Sequence, residues 1–321
     1  MSRDREIGVI GTVVEDTIDR PGRATVRDMG GAYHSVIAMS VLLPPGAVAV
    51  PVVAVGEDVL ARVRADWARL PRISLDGIRP VPTVNNKVHL EYDAEGGRGE
   101  TLTGGVPPLT WDDLAPWAGR VAAWCWNFVA GNEVDRETFE RVKRAASGPL
   151  HLDVHSLCLG PPRKGMPREL RRPEDWEGWI QGATWVQLNE AEAGLLWKGD
   201  PRSLGADQEA ALAARVHDLG VEGLLITRGE RGASWLPRRG PARHAPPGPG
   251  RAVDPTGCGD VFGAAWVALR CGRGLESEAA LSGAARAASA AATVSGTASL
   301  AAALARAGVT GATDPFMEAR R

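Results

Sequence analysis

Short apolar runs alternate with amphipathic stretches along most of the chain, and this alternation restricts the fold to βαβ units built around a mainly parallel sheet. Residues 7–13, 48–55, 121–128, 150–154, 184–188 and 224–227 read as strands. Several are almost continuous Val, Ile, Leu and Ala, as strands covered on both faces are. Residues 35–43, 58–69, 136–146, 207–219, 260–271 and 276–293 read as helices. The last two are so rich in Ala and Gly that close packing inside the molecule is expected. Residues 81–103 break the pattern. Lys87-Val88-His89-Leu90-Glu91-Tyr92 alternates polar with apolar and residues 94–99 are turn-rich, which predicts a hairpin with one solvated face. Such an excursion is either a lid over a site or an edge hairpin. The Pro-rich segments 161–173 and 237–249 read as surface loops.

A chain of 321 residues allows two domains or one large α/β domain. Lys and Arg total 37 against 39 Asp and Glu, so no bulk field exists to gather nucleic acid or an anionic membrane surface. A small-molecule partner is expected. No apolar run approaches the length of a membrane span, and the polar start Met1-Ser2-Arg3-Asp4-Arg5-Glu6 lacks a signal peptide's apolar stretch, so a cytoplasmic protein is expected. Cys125, Cys158, Cys258 and Cys271 are widely separated, which suggests neither a zinc site nor a redox pair.

The most informative segment is Val253-Asp254-Pro255-Thr256-Gly257-Cys258-Gly259-Asp260-Val261. Two glycines around one small residue, directly before an apolar helix, leave several backbone N–H groups unpaired and pointing one way, which makes an anion hole. Asp260 falls in the first turn, at the positive end of the helix dipole. Taken alone, it is equally a helix-start acid beside glycines that permit a tight turn. The four lysines, Lys87, Lys143, Lys164 and Lys198, include none between a Gly and a Ser or Thr, which excludes a Walker A loop. No G-x-G-x-x-G follows a strand either. Any phosphate site in this chain is therefore built from backbone amides and a helix dipole.

Asp254-Pro255-Thr256-Gly257-Cys258-Gly259-Asp260 resembles the D-T-x-G-A-G-D signature of the ribokinase-like family, the PfkB carbohydrate kinases, with Pro255 and Cys258 replacing the usual Thr and Ala. Further segments resemble family landmarks, in order: Gly11-Thr12-Val13-Val14-Glu15-Asp16, Gly30-Gly31-Ala32-Tyr33-His34, Val55-Gly56-Glu57-Asp58, Asn189-Glu190-Ala191-Glu192, and Thr227-Arg228-Gly229-Glu230-Arg231-Gly232.

The resemblance implies a three-layer αβα sandwich with a mainly parallel central sheet, one kinase domain over residues 1–321 and a small β lid at 81–103. It implies that the γ-phosphate of ATP passes to a hydroxyl of a sugar or sugar-like molecule, catalysed by positioning and charge stabilisation. Asp260 is then the general base, and the N–H groups of Gly257, Cys258 and Gly259 receive the transferred phosphoryl. Asp16, Gly30, Gly31, His34, Asn86 and Lys87 would meet the substrate, with His34 standing where the family often has Asn. Asn189, Thr227, Gly229 and Gly232 would serve the nucleotide, and Glu192 would act on Mg2+ through water. Asp254 and Thr256, with backbone near Gly296, would hold a monovalent cation such as K+. Asp153 and His155 lie at a strand's C-terminal end, where α/β sites form, though a loop cap explains them equally. A nucleoside is the alternative acceptor, a sugar- or nucleotide-sensing protein without catalysis the alternative of another class, and a homodimer through the lid an implied assembly.

Overall fold

The computed structural model describes residues 5–93, 97–163 and 166–309. Residues 1–4 of the polar start, 94–96 of the expected turn and 164–165 of the first Pro-rich segment lie outside it. Its strands are β1 (Arg5–Ile10), β2 (Val13–Asp19), β3 (Val26–Gly31), β4 (Ala47–Pro51), β5 (Val53–Gly56), β6 (Ile78–Val81), β7 (Asn86–Tyr92), β8 (Arg98–Thr103), β9 (Ala123–Asn127), β10 (Leu150–Asp153), β11 (Trp185–Asn189), β12 (Gly223–Thr227), β13 (Ala233–Pro237) and β14 (Arg243–Ala245). Its α-helices are α1 (Ala32–Leu42), α2 (Glu57–Trp67), α3 (Trp111–Ala118), α4 (Arg136–Ala145), α5 (Trp176–Ile180), α6 (Glu190–Lys198), α7 (Ala206–Asp218), α8 (Cys258–Val267), α9 (Ser277–Ala292) and α10 (Leu300–Arg306).

Eight strands among the described residues form the main sheet, in the order β14-β13-β12-β11-β10-β9-β1-β4. From β12 to β4 all neighbours are parallel, and β13 and β14 add an antiparallel edge. Alternation along each strand divides the core into two. Ile7, Val9, Ala123, Cys125, Trp185 and Leu225 pack with α1, α2, α8, α9 and α10 on one face. Trp124, Trp126, Leu152, Val186, Leu188 and Ile226 pack with α3 to α7 on the other. The result is the three-layer αβα sandwich expected from the sequence.

The chain order reverses at β1, whose neighbours β4 and β9 continue the sheet in opposite directions. Ligand crevices in open α/β sheets form outside the strand carboxyl ends at such a switch point. The strand expected at 7–13 ends there, because Gly11 and Thr12 carry the chain out of the main sheet into β2. The strand expected at 48–55 is likewise two strands. Pro51 is the last residue of β4; Val52 N–H makes the last bond to β1, at 2.9 Å to the Val9 carbonyl, and β5 then leaves to pair with β6.

The lid is larger than the expected 81–103 hairpin. β7 and β8 form that hairpin, but β7 pairs in parallel with β2, giving a four-stranded sheet in the order β3-β2-β7-β8. Val14, Ile18, Val88, Leu90 and Leu102 form its apolar face. Lys87, His89 and Glu91 alternate onto the other side.

The Pro-rich segment 161–173 is not simply a surface loop. Arg168 is buried, pairs with Glu100 of β8 at 3.1 Å and donates to the carbonyls of Ala130, Ser156 and Gly160. A charge can be buried here because each of these acceptors meets a guanidinium N–H.

Candidate active site

Three amides and acids stand side by side where strands otherwise carry apolar residues. Asn127 of β9 is in register with Asp153 of β10, and Asp153 with Gln187 of β11. All three lie on the face that α8 covers, because their i−2 neighbours Cys125, His151 and Trp185 also point there. Gln187 Nε2 donates to Asp153 Oδ2 at 2.8 Å and to the carbonyl of Gly259 at 3.0 Å. Asn127 Nδ2 donates to the carboxylate of Asp260. This row supports the start of α8 from below, and sequence reading missed Asn127 and Gln187. Their signal was a lone amide within Trp124-Cys125-Trp126-Asn127-Phe128 and Trp185-Val186-Gln187-Leu188.

α8 can lie close to this row because it is built from small residues. A Cβ at Gly263 would stand 2.7 Å from His151 Nε2 and 2.9 Å from Gln187 Oε1. The helix begins at Cys258 rather than at the expected residue 260, and its regular turns end at Val267, where Ala268–Gly272 widen into a π-type turn. Gly257 caps it in the left-handed region, φ 76°, so the N–H groups of the Gly257–Gly259 turn lie at the helix start, beside the Asp260 carboxylate. Burial and the neighbouring acids push the Cys258 thiol up to about 12, so it stays neutral and acts by its small size.

Charge in the cleft is concentrated. Asp153 is buried, and desolvation, reinforced by Glu192 and Asp260, raises its carboxyl well above the usual carboxylate range, so it favours the protonated form. His151, beneath it, is pulled down to about 3 by burial and is neutral. Asn189 and Glu192 form a capping box at the start of α6: Glu192 N–H donates to Asn189 Oδ1 at 2.9 Å, while Asn189 N–H donates to Glu192 Oε2 at 2.8 Å. Glu192 Oε1 also meets Asn189 Nδ2 at 2.6 Å and His155 Nδ1 at 2.9 Å. The carboxylate is thereby fixed at the cleft wall by its own neighbours, which suits contact with a hydrated cation through water. Among the described residues, no cluster of three or more His, Cys, Asp and Glu side chains is arranged to ligate a metal directly.

Asp16, Gly31, His34, Asp153, His155, Asn189, Glu192, Thr227, Thr256, Gly257, Gly259 and Asp260 line one cleft of ≈ 210 Å³ between the sheet ends and the lid. Gly30 lies against Asp16, whose carboxylate occupies the space a Cβ would need. His34 is 7% exposed, and its Nδ1 is buried without a hydrogen-bond partner. Lys87 does not reach the cleft. It lies on the opposite side of the lid, paired with Glu15 at 3.1 Å. Asn86 is buried at the lid's base, accepting from Val106 N–H at 3.2 Å. Gly229 and Gly232 shape the turn between β12 and β13 rather than line the cleft. Asp254 and Thr256 adjoin the cleft, but their partner is a side chain: Arg20 Nη2 lies 2.8 Å from Asp254 Oδ1 and 3.3 Å from Thr256 Oγ1. A guanidinium thus contacts both side chains of the expected monovalent-cation site.

Residues 170–303 match the model of the pfkB family carbohydrate kinases. The bifunctional protein HldE of Nitrobacter winogradskyi is 35% identical over 184 residues, which is 56% of this chain and 36% of that relative's length. Among solved structures, Arabidopsis thaliana ribokinase complexed with ribose and ATP has a TM-score of 0.70 at 19% identity, over 94% of this chain and 99% of that one. Burkholderia thailandensis nucleoside kinase in complex with inosine has a TM-score of 0.69 at 19% identity, over 94% and 97%. At these identities the structural likeness is one of fold. The pfkB match covers the segment that carries α6 to α9, and along nearly the whole chain the fold is the ribokinase-like one.

Proposed function

We propose that this protein transfers the γ-phosphoryl group of ATP to a hydroxyl of a sugar or sugar-like acceptor. The observation that carries the reading is the placement of Asp260 beside the Gly257–Gly259 turn at the start of α8, facing the same cleft as Asp16 and His34. Asp260 accepts the proton of the attacking hydroxyl, and the backbone N–H groups of Gly257 and Gly259, with that of Cys258 shared with the Pro255 carbonyl at 3.2 Å, stabilise the charge on the transferred phosphoryl. Asp16 and His34 Nδ1 orient the acceptor, each able to bond a hydroxyl. Asn189 and Thr227 serve the nucleotide end of the cleft. Mg2+, when bound with ATP, neutralises the phosphates, and the oxygen-rich wall at Asn189 and Glu192 suits a hydrated Mg2+. ATP as donor is supported by the related ribokinase, whose structure contains ribose and ATP.

A nucleoside acceptor is the second reading. It is favoured by the apolar strip of Val14, Val88, Leu90 and Val129 along the lid side of the cleft, against which a flat base can pack. The related nucleoside kinase was solved with inosine.

ADP release measured over a panel of sugars and nucleosides tests both. Turnover with one class and not the other selects the acceptor; binding of ATP without turnover on any member would replace catalysis by sensing. Asp260→Asn is expected to abolish turnover while leaving ligand binding nearly intact, and full activity in that variant would remove Asp260 from the role of base.

A further inference from the structure

We propose that Arg20 is a built-in cation of this site, so that the reaction runs without a soluble monovalent ion. The inference rests on the phosphotransfer reading of the same cleft. Asp254 is 5% exposed, and both of its carboxylate oxygens are engaged. Oδ1 accepts from Arg20 at 2.8 Å and from Thr256 N–H at 3.0 Å, and Oδ2 accepts from Ser295 Oγ at 3.4 Å. The guanidinium is held over the ring of Tyr92, 4.7 Å from its centroid, and Arg23 donates to the neighbouring Val253 carbonyl at 3.4 Å.

A soluble cation fits this surrounding poorly. The adjoining gap is ≈ 20 Å³ and is lined by Asp16, Asp28, Asp254 and Gly296, among others. Asp28 accepts from Thr297 Oγ1 at 3.0 Å and pairs with Arg62 at 3.4 Å, so Asp28 and Asp254 each already face an arginine. An added ion would lie beside the Arg20 guanidinium cation. It would also compete for carboxylate oxygens that charge-assisted hydrogen bonds already occupy.

Arg20 does something a soluble ion cannot. It directly follows β2, whose Asp16 faces the cleft, while Thr256 precedes Gly257 of the anion hole. One guanidinium therefore ties the lid to the turn that receives the phosphoryl group, and it is always bound.

The test compares initial rates in KCl, NaCl and N-methyl-D-glucamine chloride at equal ionic strength, together with thermal unfolding and ATP binding in the same salts. The wild type is expected to behave alike in all three. Losing a charge-assisted hydrogen bond worth about 1.5–3 kcal/mol, Arg20→Ala is expected to lose roughly tenfold to hundredfold in rate in the organic salt. K+ or guanidinium chloride at millimolar levels is expected to restore part of that rate and to raise the variant's melting temperature. Arg20→Lys, which keeps the charge, is expected to remain independent of the salt. Strong K+ activation of the wild type overturns the proposal, as does an Arg20→Ala variant as fast as wild type without K+, or a loss that neither ion repairs. The unfolding and binding measurements need no acceptor. Salt-dependent behaviour appearing only in Arg20→Ala would thus support the built-in cation even if no sugar or nucleoside proved to be phosphorylated.

Discussion

Asn127, at the last position of β9, donates its side-chain amide to the carboxylate of Asp260 in the first turn of α8. The bond fixes the rotamer of the proposed base relative to the cleft, and Asn127 is thus a positioning residue. Replacing it by Leu removes a hydrogen bond to a charged group, worth about 1.5–3 kcal/mol, so kcat is expected to fall roughly tenfold to hundredfold. KM for ATP should change little, because Asn127 does not line the cleft. Steady-state kinetics with ADP-binding calorimetry would check the split; a raised KM at unchanged kcat would show that Asn127 supports binding instead.

Gly257 holds φ 76°, and a Cβ there would run into the ring of His34. Gly257→Ala therefore combines left-handed strain of roughly 1–2 kcal/mol with displacement of His34 from the cleft. A melting point a few degrees lower and a loss in kcat/KM for the acceptor are both expected. If calorimetric stability fell while kcat/KM stayed at the wild-type value, His34 would not be an acceptor contact.

The layered fold was legible because α/β alternation is local, and the Asp254–Asp260 turn because its residues are consecutive. Asn127, Gln187 and Arg20 were not legible. Asn127, Asp153 and Gln187 lie 26 and 34 residues apart along the chain, and only the parallel register of β9, β10 and β11 brings them together. Arg20 meets Asp254 across the lid, a contact of 234 residues' separation that no spacing announces. Lys87 misled for a related reason. Strand alternation places it with His89 and Glu91, but which face of β7 meets the cleft depends on how the lid packs against Ala130, far away in sequence.

Asp153 predicts a pH dependence of stability. Its carboxyl is raised well above 3.8 in the folded protein by burial and by the nearby acids, so the folded state holds its proton more tightly than the unfolded state. The stability contributed by that proton is complete below the ordinary carboxylate range and is lost as pH rises through the raised value. A tenfold tighter hold on that proton in the folded state is worth about 1.4 kcal/mol. Asp153→Asn, which can still accept from Gln187, is expected to equal wild type in acid and to become more stable than wild type toward neutral pH. Urea unfolding from pH 4 to pH 8 would show it, and parallel curves for the two proteins would mean that Asp153 ionises normally.

Arg168 fastens the segment after β10 to the lid, with its side chain only 1% exposed and Glu100 only 8%. The pair survives burial because the guanidinium also donates to the carbonyls of Ala130, Ser156 and Gly160, so removing it takes a cation from Glu100 and a donor from three carbonyls at once. Arg168→Met is expected to cost about 3–5 kcal/mol, the usual effect of removing one member of a buried ion pair. Adding Glu100→Gln to that variant removes the buried carboxylate charge and should recover part of the loss. Because Glu100 also lines the cleft, the single variant should weaken acceptor binding as well as stability. Chemical denaturation of both variants beside wild type measures the coupling. Single and double variants equally unstable would assign the cost to the carbonyls of the 128–131 and 156–160 segments, with no energetic link to the lid.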